Sequence, residues 1–203
     1  MTVTDAASTD QAIHDVMVDA ALAAGAAIMA VYQSDAGHRE KPDCSPVTIA
    51  DERAEAIICA RLRAAMPGVP VVAEEEISAG SVPPALDRRF FLVDPLDGTK
   101  EFIHRRSDFT VNIALIEDGI PVMGVVHAPA LDLLYLGTPQ GAWCRDGETG
   151  QDGWRQIRVR AAGPAPVAVA SRSHRDAQTD RFLAAHSICD CISVGSSLKF
   201  CLL

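Results

Sequence analysis

The sequence predicts a protein of mixed α and β structure, with an α+β part followed by the start of an α/β part. Two stretches with helical spacing of apolar residues come first, at 10–33 and 49–66. Short β-rich runs then fill 69–160, and beyond Ala162 strand and helix patterns alternate, which is typical of α/β structure. We therefore expect residues 1–163 to form an N-terminal α+β subdomain and residues 164–203 to begin a second, α/β subdomain.

Each predicted helix has a start signal. For the first helix, Ser8, Thr9 and Asp10 are candidate N-caps. Thr48 and Asp51 fit a capping box at the start of the second helix, which "PGVP" ends.

The strands are predicted from short β-rich runs bounded by turn residues. "VPVVAEEE" is a strand that leads into three glutamates, and "RRFFLVD" is a second strand. "DFTVNIALIEDGIPVMGVVHAP" predicts a hairpin with its turn at Asp118 and Gly119. "DLLYLGT" and "GAWCRDGE" continue the same antiparallel sheet, and "SSLKFCLL" begins a last apolar helix, where the sequence stops as if it were a fragment.

Composition and charge exclude some classes of protein. The chain of 203 residues has 18 Lys and Arg against 27 Asp and Glu, a formal net charge of −9, which argues against non-specific nucleic-acid binding. We expect no secretory leader and no membrane-spanning segment, because the N-terminus is polar and the longest apolar run is short. Six cysteines without a C-x-x-C pair fit the cytoplasm; peripheral association with the inner face of the cell membrane, and the choice between monomer and homodimer, stay open.

The stretch with the clearest chemistry is "FFLVDPLDGTKEF", in which Asp94 and Asp97 follow a buried strand. Two carboxylates about 4 Å apart repel by about 4 kcal/mol near a protein surface. Mg²⁺ binds carboxylates together with substrate phosphate and would remove that repulsion. Glu74 also follows an apolar strand, so the sequence predicts a metal site with three carboxylates. Gly98 and Thr99 would form a phosphate seat at the start of a short helix.

Other interpretations of the same residues stay open. Asp94-Pro95 and Asp97-Gly98 are also ordinary turn sequences, and Glu74–Glu76 could be a solvated acidic turn. The spacing does not fit an EF-hand, and no phosphate-binding loop with the G-x-x-x-x-G-K-[ST] pattern is present. The aspartyl-nucleophile signature D-x-D-G-T is closer, but its first Asp would be one residue too far away.

Taken together, "DPLDGTKEF", the upstream "EE", "FTVNIALI", "SRSH" and "GSSLKFCL" resemble the inositol monophosphatase superfamily of Mg²⁺-dependent, lithium-sensitive phosphatases, and within it the CysQ-type 3'(2'),5'-bisphosphate nucleotidases. The resemblance implies a layered αβαβα sandwich whose second subdomain is incomplete here. It implies removal of the 3'-phosphate of adenosine 3',5'-bisphosphate, a by-product of sulfate activation, with two or three Mg²⁺ ions.

The resemblance also implies roles for particular residues. Glu74, Asp94, Asp97 and the backbone carbonyl of Leu96 would bind metal. Asp51 would pair with Thr99, and Thr99 with Glu74 would activate the water. The substrate would contact the following residues: Glu74, Leu96, Asp97, Gly98, Thr99, His174, Ser197 and Lys199.

Several of these assignments compete with structural roles. His174 could instead start a helix, the side chain of Lys199 could simply extend along an apolar helix, and Asp51 could simply cap a helix. Arg105 and Arg106 could steer anions or be solvated loop residues.

One departure from the family pattern concerns the end of the sequence. The family's W-D-x-A segment, which supplies a further Asp ligand, is absent. We therefore expect weak or no activity from this chain and exposed apolar surface at Leu198–Leu203. Rival functions are an inositol or sugar phosphatase, a phosphatase with an aspartyl nucleophile, and a non-catalytic metal- or nucleotide-binding module.

Overall fold

The computed structural model describes residues 3–34, 38–40, 46–81, 87–147, 153–161 and 163–203. Its helices are α1 (Val3–Tyr32), α2 (Ile49–Ala65), α3 (Glu74–Ser78), α4 (Thr99–Ile103), α5 (Ala177–Ala185) and α6 (Leu198–Cys201). Its strands are β1 (His38–Glu40), β2 (Pro46–Thr48), β3 (Val71–Ala73), β4 (Arg89–Asp97), β5 (Thr110–Glu117), β6 (Ile120–Ala128), β7 (Leu133–Thr138), β8 (Gly141–Asp146), β9 (Arg155–Ile157), β10 (Val167–Ser171) and β11 (Asp190–Val194).

The main feature of the fold is a seven-stranded sheet in the order β3-β4-β5-β6-β7-β8-β9. Every neighbouring pair is antiparallel except β3 and β4, which run parallel. The predicted hairpin is confirmed: β5 and β6 are joined through Asp118 and Gly119, which both have positive φ, as a tight turn between twisted strands requires.

Helices α1 and α2 pack on each other, and together they cover one face of the sheet. The alternation of side chains in β4 shows which face this is. Phe91 and Val93 are buried in the main core, whereas Leu92 between them is 47% exposed. The main core therefore lies between the two helices and one face of the sheet.

Helix α1 is longer and more apolar than the sequence analysis predicted. The part from Gln11 to Tyr32 is long and apolar enough to cross a membrane by length and composition alone. In this structure Ile13, Met17 and Ile28 are fully buried in the main core. The apolar character of this helix is therefore explained by its packing against the sheet.

The strand and helix alternation predicted for the last forty residues is confirmed. Strands β10 and β11 are parallel and are separated in sequence by α5, which gives a β-α-β unit followed by α6. Its buried apolar cluster is small and centres on Ala128, Val194 and Leu198. Phe200 and Leu203 remain 68% and 61% exposed. The boundary near residue 163 stays a prediction, and Ala162 lies outside the described residues.

One local prediction was wrong. Ser8, Thr9 and Asp10 lie inside α1, because the alanines before them continue the helix to Val3. The three glutamates after β3 form the first turn of a short helix, α3, which the sequence analysis did not predict, and acidic side chains favour that position. The predicted last apolar helix is present as a single turn, α6.

Two further predictions concern residues that the structure describes only in part. The side chain of Thr48, which would complete the capping box with Asp51, lies outside the described residues, as does Cys44. The five described cysteines (Cys59, Cys144, Cys189, Cys191 and Cys201) are free.

Candidate active site

The register of β3 and β4 brings the first two carboxylates of the site together. Ala73 is opposite Val93 in this parallel pair, so the next residues along the two chains, Glu74 and Asp94, lie side by side. Glu74 also acts electrostatically on Asp94. The structure therefore places Glu74 beside Asp94, as the sequence analysis expected for two residues that each follow an apolar strand.

A bulge in β4 brings Asp97 to the same end of the sheet. Asp94 is opposite Asn112 and Asp97 is opposite Thr110, so three residue steps on β4 match two on β5. Pro95 lies inside this irregularity and has no N–H to contribute to a ladder. The "DPLD" sequence is therefore part of the strand, and its bulge places both aspartates on one edge.

Asp94 carries an electrostatic strain that is not relieved within the described protein. Its Oδ1 is buried and has no hydrogen-bond partner among the described residues, although the amide of Leu96 donates to the carboxylate. Burial, followed by repulsion from Asp97 and Glu74, raises the pKa of Asp94 to about 8. A nearby cation would offset the repulsion and would lower this pKa again. The donor set consists of oxygens only, which is the kind that Mg²⁺ prefers.

Other oxygens of the proposed metal set form hydrogen bonds within the protein. Asp97 Oδ2 accepts from the amide of Ser197 at 2.5 Å, and the carbonyl of Leu96 accepts from Thr99 Oγ1 at 3.2 Å. Within the described part of the chain, no group of three or more His, Cys, Asp or Glu side chains is arranged to hold a metal ion. The oxygen donors of the proposed set are of the chemical kind that a divalent cation prefers, but their side chains would have to rearrange to bind one.

Gly98 connects the bulged strand to α4, and the backbone conformation at this position requires glycine. Its φ is 91°, a value that favours glycine. A Cβ there would lie 3.2 Å from the Cβ of Ser196 and 3.3 Å from the carbonyl oxygen of Asp108. The turn therefore packs directly against the loop that follows β11.

Helix α2 contributes two buried carboxylates one turn apart, Asp51 and Glu55. Asp51 adds to the repulsion that raises the pKa of Asp94, so it lies near the site. Its predicted pairing with Thr99 stays a prediction, and the hydroxyl of Thr99 donates to Leu96 as described above.

The sequence analysis missed Glu55, which accepts from the amides of Glu75 and Glu76 at 2.6 and 2.8 Å. Burial is the main cause that raises the pKa of Glu55. Because it caps the start of α3, Glu55 fixes the direction in which Glu74 leaves β3. The spacing of four residues from Asp51 on one helix face was the signal that could have identified it.

The three glutamates after β3 have separate roles. Glu76 forms a two-pronged ion pair with Arg63, with N–O distances of 2.6 and 2.8 Å, and this pair lowers the pKa of Glu76. Only Glu74 lines the cavity beside Asp97. The solvated-turn interpretation therefore applies to part of this cluster only.

A cavity of about 220 Å³ opens in front of the carboxylates. One wall consists of Glu74 and residues 97–101. The other wall comes from the end of β10, the loops after β10 and β11, and α6, and its residues are Ser171, Ser173, His174, Gly195, Ser196 and Lys199. A larger cavity of about 520 Å³, which Trp143 and Trp154 help to line, shares no residue with it. We assign the chemistry to the smaller cavity because the strained carboxylate group lies there.

The predicted nucleotide-contacting residues divide into two groups. His174 and Lys199 line the cavity. The hydroxyl of Ser197 instead contacts Asn112 and Thr110 at 2.7 and 2.9 Å, and its neighbour Ser196 lines the wall.

The competing interpretation of His174 as a helix start is wrong. Asp176 caps α5 by accepting from the amide of Thr179. His174 Nε2 instead lies 3.4 Å from Nζ of Lys100, a cavity residue that the sequence analysis did not single out.

Arg105 and Arg106 do not line the cavity. The guanidinium of Arg105 contacts the backbone carbonyls of Tyr32 and Ser34 and lies over the Tyr32 ring. Arg106 Nη1 lies 3.6 Å from Glu101. These contacts favour a structural role for the pair.

The comparisons with known proteins identify the family of this chain. The profile of the inositol monophosphatase family matches residues 9–203. The 3'(2'),5'-bisphosphate nucleotidase CysQ of Salmonella typhimurium is 47% identical over 186 residues, which cover 88% of this chain and 71% of that protein. The corresponding Escherichia coli K12 protein is 46% identical over the same shares.

Solved structures show the same relationship. CysQ from Bacteroides thetaiotaomicron is 34% identical and superposes with a TM-score of 0.75, over 95% of this chain and 75% of that one. An inositol monophosphatase from Anabaena is 26% identical with a TM-score of 0.74, over 95% of this chain and 71% of that one. The predicted fold class is thereby confirmed, and the chain belongs to the inositol monophosphatase family of phosphatases, among the relatives of CysQ.

Proposed function

We propose that this chain removes the 3'-phosphate of adenosine 3',5'-bisphosphate, consuming one water and releasing AMP and phosphate. The observation that carries the proposal is the buried carboxylate oxygen of Asp94, which has no hydrogen-bond partner among the described residues and lies beside Glu74 and Asp97, two residues that line a polar cavity. The names of the CysQ relatives support the choice of substrate.

The residues that would hold the metal are Glu74, Asp94, Asp97 and the carbonyl of Leu96, and we propose two or three Mg²⁺ ions. Bound Mg²⁺ would neutralise charge on the phosphate ester and act as a Lewis acid. Glu74 and Thr99 would orient the attacking water, with Asp51 supporting Thr99. Gly98 and Thr99 would hold the phosphate at the turn into α4.

Both walls of the cavity supply positive charge for the rest of the nucleotide. Lys100 lies on the wall that carries Glu74 and Asp97, Lys199 lies on the opposite wall, and His174 lies 3.4 Å from Lys100. Cationic side chains around the cavity suit a substrate with a second phosphate group. This favours a bisphosphate over an inositol or sugar monophosphate.

Phosphate release from adenosine 3',5'-bisphosphate and from inositol 1-phosphate, each with Mg²⁺, tests the proposal. We expect the larger kcat/KM for the bisphosphate and complete loss with a chelator. A preference for inositol 1-phosphate would transfer the assignment to the rival within the family. Undiminished turnover after exhaustive chelation would rule out the metal mechanism.

The aspartyl-nucleophile alternative makes a different prediction for Asp94. Water attack leaves no covalent intermediate, whereas an aspartyl nucleophile would leave phospho-Asp94 after rapid acid quenching. We expect none by mass spectrometry, because Asp94 is proposed to bind metal and is not among the residues that line the cavity. We also propose a cytoplasmic location and a monomer or homodimer, with no nucleic-acid partner.

A further inference from the structure

We infer that Asp108 is a positioning residue for substrate binding, because its buried carboxylate fixes the loop that carries His174 and the loop that leads into α6, where Lys199 lies. The inference rests on the proposed function, since it assigns those loops to the nucleotide. Asp108 does not line the cavity and would not touch the substrate.

The contacts of Asp108 reach both loops at once. Arg172 Nη1 lies 2.6 Å from each carboxylate oxygen, and the amide of Gly195 donates to Oδ2 at 2.5 Å. Arg172 is two residues before His174 in the loop after β10. Gly195 directly follows β11 and precedes Ser196, whose carbonyl accepts from Lys199 Nζ at 2.5 Å.

Arg172 also ties the loop after β10 to the end of β11. Its Nη2 donates to the carbonyl of Ser193 at 3.0 Å, and its amide donates to the carbonyl of Val194 at 3.2 Å. Ser173, the next residue, donates from Oγ to the buried carboxylate of Glu101 at 2.5 Å. The loops are therefore held to the first subdomain by two buried carboxylates, of which Asp108 serves both loops.

The backbone at Gly195 leaves no room for an alternative arrangement. A Cβ there would lie 2.5 Å from Cγ of Glu101 and 2.8 Å from the carbonyl oxygen of Asp108. The same carbonyl packs against the Gly98 turn, as described above. Asp108 therefore lies between the proposed phosphate seat and the proposed nucleotide loops, and it fixes the distance between them.

A change at Asp108 should affect substrate binding more than chemistry. Asparagine has one side-chain oxygen and one NH₂ group. Its NH₂ group, a donor, would therefore face the N–H donor of either Arg172 or Gly195, and a hydrogen bond would be lost. The loops would lose their fixed placement, whereas Glu74, Asp94 and Asp97 stay on the strands. A small misplacement of binding groups costs up to about 100-fold in catalytic efficiency.

The test compares Asp108→Asn with Asp118→Asn in the full chain. Asp118 is a matched control, because its carboxylate is also paired with an arginine, Arg88, at 2.5 and 2.6 Å, but lies exposed at the hairpin turn. Asparagine also tolerates the positive φ of Asp118. For Asp108→Asn we expect the KM for adenosine 3',5'-bisphosphate to rise about 10- to 100-fold, with kcat and the Mg²⁺ half-saturation close to those of Asp118→Asn.

The outcomes separate this inference from the proposed function. The weak activity that the sequence analysis allows is sufficient for this comparison, whereas a wild-type chain without any turnover of the bisphosphate would contradict the proposed function. An active wild type with equal KM values for the two variants would overturn the role of Asp108. A fall in kcat with unchanged KM would also overturn it, because it would place Asp108 in the chemistry.

A second variant protects the test against misfolding. If Asp108→Asn melts far below the wild type, Arg172→Gln breaks the same ion pair from its other end. The Arg172 side chain is 36% exposed, so its replacement disturbs the protein interior less. It should raise KM in the same way and leave kcat unchanged. An unchanged KM in Arg172→Gln would equally overturn the inference.

Discussion

The two walls of the candidate active site are held in place by different kinds of interaction. Glu74, Asp94 and Asp97 come from neighbouring strands, and the register and the bulge of the sheet set their positions. His174 comes from the loop after β10 and Lys199 from the single turn of α6, in a two-stranded unit with a small apolar cluster.

The two walls differ in the interactions that stabilise them. The carboxylate wall, which carries Glu74, Asp94 and Asp97, rests on the main core and can hold charges that repel one another. The nucleotide wall, which carries His174 and Lys199, belongs to a unit with little apolar burial, in which Phe182, Ile192 and Phe200 are more than half exposed. Its geometry therefore depends on buried polar contacts. We expect changes in the first wall to remove chemistry and changes in the second to weaken binding.

The largest effect is expected from Asp94→Asn. Turnover should fall at least about a thousandfold, because several kcal/mol of metal-dependent stabilisation are lost. The same variant should melt no lower than the wild type in chelator, since it removes a buried carboxylate that its neighbours repel. Phosphate release and thermal melting measure the two effects.

Asp118→Asn, at an exposed position, is the control for Asp94→Asn. Retained turnover in Asp94→Asn would contradict the metal assignment. A much lower melting temperature in chelator would show that the carboxylate stabilises the metal-free fold, against our electrostatic interpretation.

The next effect concerns the cap of α3. In Glu55→Gln one of the two amides, of Glu75 or Glu76, faces an NH₂ group, so the direction of Glu74 is no longer fixed. We expect kcat/KM to fall about 10- to 100-fold with a higher Mg²⁺ half-saturation, as for groups that orient metal ligands. Initial rates over a Mg²⁺ titration measure both quantities.

Glu52→Gln is the matched control, because Glu52 lies on the same helix with its side chain exposed. If the two variants share one Mg²⁺ titration curve, Glu55 does not position Glu74.

These residues also show how far the sequence could predict the site. Asp94 and Asp97 were predictable because an apolar run ends at them, and local sequence determines where such a strand ends. Glu74 was predictable because it follows the strand beside theirs. Both inferences need only neighbouring residues and the pairing of adjacent strands.

The contacts made by Glu55 and Asp108 could not be predicted from local sequence. Glu55 meets amides 20 and 21 positions away, and Asp108 meets Arg172 and Gly195 at separations of 64 and 87. Such contacts exist only once the sheet has brought distant segments together. The sequence analysis missed the start of α3 for the same reason, because the carboxylate that accepts from its first amides belongs to Glu55 of α2.

A smaller effect is expected from Lys199→Met. If the ammonium contacts the substrate, its loss removes a charge-assisted hydrogen bond of about 1.5–3 kcal/mol, which corresponds to a KM about tenfold higher or more. The kcat should change little, because the carboxylate wall is intact. Steady-state kinetics with adenosine 3',5'-bisphosphate measure both.

Arg181→Met, which removes an exposed cation from α5, is the control for Lys199→Met. Equal KM values would favour the alternative in which Lys199 only packs along α6 and over Phe200. That result would confine the nucleotide wall to the loop that carries His174.

The smallest effect is the pH dependence of stability at Asp108. Burial alone would raise its pKa, but the amide of Gly195 and the guanidinium of Arg172 outweigh burial and hold the pKa below the ordinary value. The ionised carboxylate therefore stabilises the fold above the ordinary aspartate pKa of about 4, and this stabilisation is lost as the pH falls through the lowered value. At pH 7 we expect Asp108→Asn to melt below the wild type, by about 2–4 °C for each kcal/mol lost, and we expect the gap to close towards pH 3. Thermal melting of both proteins between pH 7 and pH 3 measures this difference in melting temperature. A difference that stays constant or widens in acid would show that the charge of Asp108 does not hold the nucleotide wall to the sheet.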